Sequence, residues 1–153
     1  YRRHPQPPHP PDSQMKYLPG LLLLALCTCS SPASTDDPLL FPAHFARNYT
    51  PVRDCRLSNA HDMHFITVAA NAAAVAAYRD GQYPLPAGSI LVKSLHDDPD
   101  CATPIGYVAM RKDADWVWQQ TAADFSNSTT GALQSCIACH QRCADRDFTC
   151  TDP

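Results

Sequence analysis

Residues 136–140 read Cys-Ile-Ala-Cys-His, and no other stretch restricts the chemistry of the chain so tightly. On a helical turn, side chains three and four residues apart share a face, so the thiols of Cys136 and Cys139 and the imidazole of His140 converge. C-x-x-C-H is the attachment pattern of c-type haem: two thiols become thioethers on one edge of the porphyrin, and the imidazole binds the iron. A competing reading comes from Cys143 and Cys150, which extend the motif to C-x2-C-x3-C-x6-C. Four thiolates in that order could enclose a tetrahedral zinc or form a disulfide-stapled binding module, but this leaves His140 without a role. On the haem reading, Cys27 and Cys29 fall in an apolar leader and Cys136 and Cys139 hold the cofactor, which leaves Cys55, Cys101, Cys143 and Cys150. Four cysteines allow three pairings; Cys143–Cys150 is favoured as the local one, with Cys55–Cys101 the remainder.

The chain has 153 residues, 44% of them hydrophobic and 18% charged, which fits one globular domain behind a leader. All 15 acidic residues are Asp, and no Glu occurs anywhere. That excludes HExxH zinc proteases, EF-hand loops that end in Glu, and Glu-based glycosidase pairs. A net charge of −3 argues against nucleic acid as a partner. Residues 1–14 are Pro-rich and almost free of apolar side chains, so they read as a disordered upstream extension. Met15-Lys16 then precedes an apolar run too short to span a bilayer, followed by small residues, and residues 15–34 read as a secretory signal peptide. Ser31-Pro32-Ala33 suits a signal peptidase, while Leu26-Cys27-Thr28-Cys29 loosely matches a lipobox that would acylate Cys29. The expected location is periplasmic or exported, with a lipid anchor as a variant, and residues 35–153 form the haem domain.

Within that domain, residues 36–42 form a polar lead-in, and residues 45–59 are mixed, with Pro51 leaving their state open. Residues 64–68 are β-branched and aromatic, a strand. Residues 69–78 hold seven Ala with Asn71 near the start and Gly81 beyond the end, a helix. Residues 89–95, 106–112 and 116–118 read as further strands, residues 126–131 as a loop, and residues 132–141 as a short helix. The fold class is α+β: a mostly antiparallel sheet with packed helices and a C-terminal haem-binding helix.

No Met or His follows His140, so a sixth iron ligand would have to come from upstream. Met63, Met110, His61, His64 and His96 are the candidates, and Met110 lies in an apolar strand where a core role is the default. A five-coordinate iron with an open face follows, suited to binding nitric oxide or oxidising a small substrate; plain electron transfer is the alternative.

The pattern resembles the cytochrome P-460 family of mono-haem c-type proteins, which includes the β-sheet cytochromes c′. The resemblance is carried by residues 64–68 and the helix ending Tyr78-Arg79-Asp80-Gly81, by Gly88-Ser89-Ile90-Leu91-Val92-Lys93, and by Lys112-Asp113 before Trp116 and Trp118. At the C-terminus it is carried by the C-x-x-C-H motif with Ala144-Asp145-Arg146-Asp147-Phe148. It implies a sheet of about five strands, a homodimer, haem c with His140 as proximal ligand, and a redox partner protein. In hydroxylamine-oxidising members a lysine is also bonded to the porphyrin, and that position falls on Lys93. Those members use a distal Glu to move protons. This chain has none, which implies an apolar distal pocket better suited to uncharged gases than to multi-step oxidation, unless an Asp from elsewhere takes the place of the Glu.

Overall fold

A computed structural model describes residues 37–151, so the readings made for residues 1–34 lie outside the described residues. Six strands run antiparallel to their neighbours in one sheet whose spatial order follows the chain: β1 (Thr50–Leu57), β2 (Phe65–Ala70), β3 (Ile90–His96), β4 (Gly106–Lys112), β5 (Trp116–Ala122) and β6 (Thr129–Gly131). Helix α1 (Ala72–Arg79) sits between β2 and β3, and α2 (Gln134–His140) follows the sheet and continues as a 3-10 turn over Gln141–Arg146.

The α+β class holds, with one strand more than expected. The undecided residues 45–59 supply edge strand β1. Pro51 is tolerated there because an edge strand does not need every N–H, and two register shifts, at Pro51/Arg53 and Arg53/Arg56, bend the strand. Part of the stretch read as a loop becomes β6, since Thr129, Thr130 and Gly131 pair with Gln120, Gln119 and Trp118. The alanine run also divides later than its composition indicates. Ala69 and Ala70 stay in the sheet opposite Val92 and Leu91, and the helix begins only after Asn71. Asn71 enforces the switch: its Oδ1 accepts from Ala74 N at 3.2 Å and Ile90 N at 2.9 Å, while its Nδ2 donates to Gly88 O at 2.8 Å. Gly81, at φ +63°, ends the helical stretch in the left-handed conformation that favours glycine.

Strand alternation sorts side chains onto two faces. On one face Val92, Tyr107 and Ala109 pack with Leu40, Phe41 and Phe45. Leu40 and Phe41 belong to the stretch expected to be a polar lead-in; Gln119, fully buried, draws that stretch in by accepting from Leu40 N at 2.8 Å and donating to Pro38 O at 3.0 Å. On the other face Ala70, Leu91, Met110 and Trp118 pack with Ala74 and Tyr78 of α1, and Cys136, Ile137 and Phe148 lie against this cluster.

Candidate functional site

The second face carries the site. Cross-strand pairing aligns Val68, Lys93, Val108 and Gln120 in one row, with Leu91, Met110 and Trp118 in the row beside it. Helix α2 lies across these rows and encloses a cavity of about 270 Å³, lined by Lys93, Met110, Trp118, Cys136, Cys139 and His140 among others. A third wall comes from the β1–β2 loop, which contributes His61, Asp62 and His64. That loop is held by Ser58 N donating to His64 O at 2.9 Å and His64 N donating to His61 O at 2.9 Å.

The motif residues meet as the helical spacing requires. Cys136 and Cys139 are free thiols, and burial pushes the Cys136 thiol above its ordinary pKa, which keeps it protonated. The other four described cysteines are joined as Cys55–Cys101 and Cys143–Cys150, the pairing favoured from the sequence. The Cys143–Cys150 bond uses the two sulfurs that a four-thiolate zinc site would need, so that arrangement does not form.

His140 is oriented from two sides. Its ring meets Trp118 edge-on at a centroid distance of 4.7 Å, and its Nδ1 lies 2.6 Å from Phe148 O. A carbonyl can only accept, so Nδ1 carries the proton and donates, and Nε2 keeps its lone pair. Burial lowers the pKa of His140 more than the Phe148 carbonyl raises it, which favours the neutral form.

Lys93 faces the same cavity, and its Nζ lies 2.8 Å from His61 Nε2. Burial brings the lysine down to about 8, with Arg56 adding to the effect against an opposing influence of Cys139. Burial and then the Lys93 charge bring His61 down to about 4, so near neutrality His61 is uncharged and its Nε2 accepts from the ammonium. The result is a lysine with a sizeable free-amine fraction just above neutral pH.

The five upstream candidates for a sixth ligand separate cleanly. His61, His64 and Met110 line the cavity. Met63 is 57% exposed, and His96 is buried on the opposite face of β3, with neither ring nitrogen partnered among the described residues. His64 is engaged at 2.9 Å by Asp97. The apolar pocket expected from the sequence is present as the sheet wall of Val68, Leu91, Val108 and Met110, but the β1–β2 loop adds two imidazoles and a carboxylate that spacing gave no reason to place there.

Two free thiols, a neutral imidazole with an open nitrogen and an apolar wall fit a c-type haem by donor chemistry and by position. The fold and this donor set define a cofactor-binding α+β protein of the C-x-x-C-H type. The family model described as cytochrome P460 matches residues 46–151, and the chain belongs to that family. Membership implies a haem cofactor. No curated protein matches the chain.

Proposed function

We propose that the chain is an exported c-type haem protein that binds or oxidises small nitrogen compounds, nitric oxide or hydroxylamine, at an open iron face. The observation that carries this reading is the contrast among the described cysteines. Four are closed in disulfides, whereas Cys136 and Cys139 stay free at the cavity beside an imidazole whose Nε2 is unused. Bound there, a haem supplies an iron that takes up a small ligand and exchanges electrons. Cys136 and Cys139 would hold it through thioethers, and His140 would offer it Nε2 while Phe148 O accepts from its Nδ1. Lys93 is the residue for a third covalent link, since its amine lines the same cavity with a lowered proton affinity. The apolar sheet wall suits an uncharged gas, while Asp62, His61 and His64 on the β1–β2 loop supply groups that could move protons in place of a Glu, so both nitric oxide and hydroxylamine stay within the proposal.

Export is supported by the apolar leader within residues 15–34 and by two disulfides, which persist in oxidising compartments. A lipid anchor at Cys29, a homodimer and a redox partner protein belong to the same proposal. A second reading, periplasmic electron transfer, draws on His61, which lines the cavity and could close the sixth position, whereas Met110 is packed into the core. The test is mass spectrometry of the haem peptide, the visible spectrum of the ferrous protein, and titration with nitric oxide. Haem on residues 136–140, its loss in C136S/C139S and prompt uptake of nitric oxide are expected. Haem attached but inert to nitric oxide would favour electron transfer, and a colourless protein would overturn the haem reading. A Lys93 adduct with a red-shifted Soret band would establish the third link.

A further inference from the structure

The segment after α2 contains a conformation that the attachment motif does not explain. Asp147 and Phe148 both adopt left-handed backbone, at φ 51° and 64°, although neither is glycine. Such a conformation is unfavourable for a residue with a side chain, and here the surrounding contacts hold it.

Asp147 supplies those contacts. Its Oδ1 accepts from Lys112 Nζ at 2.6 Å and from Trp116 Nε1 at 3.1 Å, and its Oδ2 accepts from Leu85 N at 2.9 Å. The donors come from the end of β4, the start of β5 and the turn that precedes β3, so a single carboxylate joins the ligand-bearing arm to three separate places in the scaffold. The side chain is 9% exposed and that of Lys112 17%. Desolvation offsets much of the Coulomb gain of such a buried pair, so stability alone is a weak reason for it. What the pair does secure is position. Asp147 N donates to Ala144 O at 3.2 Å and Phe148 N to Cys143 O at 2.8 Å, which leaves the next carbonyl, Phe148 O, aimed at His140 Nδ1.

We propose that Asp147 is a positioning residue for the iron ligand: by clamping the Asp147–Phe148 turn to the sheet, it fixes the carbonyl acceptor that sets how strongly His140 donates to the metal. The inference rests on His140 being that ligand. An acceptor on Nδ1–H raises the basicity of Nε2, and an acceptor that drifts away lowers it. A purely structural Asp147 would change stability and leave the metal's electronics alone.

The test is made on the haem-loaded protein, with the iron–histidine stretching band from resonance Raman spectroscopy of the ferrous form and the midpoint potential as readouts. Asp147→Asn keeps the shape but turns an N–H toward at least one of the three donors. Its band should move to lower frequency and its potential should rise. Lys112→Met and Trp116→Phe each remove one donor and keep the carboxylate, so they should give smaller shifts in the same directions. These two variants decide the matter if Asp147→Asn does not accumulate. Unchanged band and potential in variants that melt earlier would overturn the proposal and leave Asp147 a stabilising residue. A wild-type protein with no iron–histidine band and no bound haem would instead overturn the assignment of His140.

Discussion

The two faces of the sheet are built from the same strands, yet they do opposite work. On β3, Val92 is fully buried in a sealed cluster, whereas its neighbour Lys93 faces the cavity with its amine on His61. The sealed face closes on itself with aromatic edges: Phe41 meets Phe45 at 5.1 Å, Tyr107 at 6.0 Å and Phe125 at 6.1 Å. The cavity face is closed by separate pieces, α1 at one end, α2 and its arm across the middle, and the β1–β2 loop at the rim. One face therefore supplies stability that needs no cofactor, and the other gathers polar groups that a fully packed core would exclude.

Mutation can break this division. The largest effect is expected from Phe41→Ala, which empties the centre of the sealed cluster and should cost about 3–5 kcal/mol in chemical denaturation. It should leave the visible spectrum of the haem-loaded protein unchanged; a spectral shift would mean the faces are not independent. The disulfides differ in how close they lie to the cavity: Cys150 lines it, and neither Cys55 nor Cys101 does. Loop closure alone assigns about 4 kcal/mol to Cys55–Cys101, 46 residues apart, and about 2.5 kcal/mol to Cys143–Cys150, 7 residues apart. Yet C143A/C150A, the milder change in stability, should disturb the spectrum more, because that bond closes the loop carrying Phe148 O. Equal spectral effects from the two double variants would erase the distinction.

The last effect is a pH slope. The folded protein holds His61 at about 4 against an ordinary 6.5, so between those values the unfolded chain binds more protons and stability falls as the pH drops. His61→Gln should flatten that part of the stability curve and leave the region above pH 7 as it was. Denaturant midpoints measured from pH 7 to pH 4 check this, and parallel curves for the two proteins would show that His61 does not carry the slope.

Much of this architecture is legible along the chain because it depends on short-range spacing. The C-x-x-C-H turn, the strand cores and the even set of spare cysteines all follow from residues a few positions apart. The alanine run shows where such reading fails. Ala69 and Ala70 have helical propensity, but opposite Val92 and Leu91 they complete a ladder, and the side-chain bonds of Asn71 place the switch two residues later. Strand β6 reads as a loop in the sequence because Thr129-Thr130-Gly131 carries no apolar alternation. The site divides likewise: Cys136, Cys139 and His140 announce themselves, whereas the His61–Lys93 contact joins residues 32 positions apart. Asp147 lies in the C-terminal stretch that carries the family resemblance, but its three donors become neighbours only when β4, β5 and the turn before β3 come together.

By itself the sequence determined the donor set: two thiols and an imidazole on one helical turn, an oxidisable remainder of cysteines, and no Glu to carry protons. These are matters of residue identity and local periodicity, which survive without knowledge of any distant contact. Only the tertiary structure decided that Nε2 of His140 is the open nitrogen among the described residues, that Lys93 shares its wall with a neutral histidine, and that a buried carboxylate holds the Asp147–Phe148 turn to the sheet. Proton placement, pKa and side-chain aim depend on burial and on partners brought close by folding, and no pattern along the chain encodes those distances.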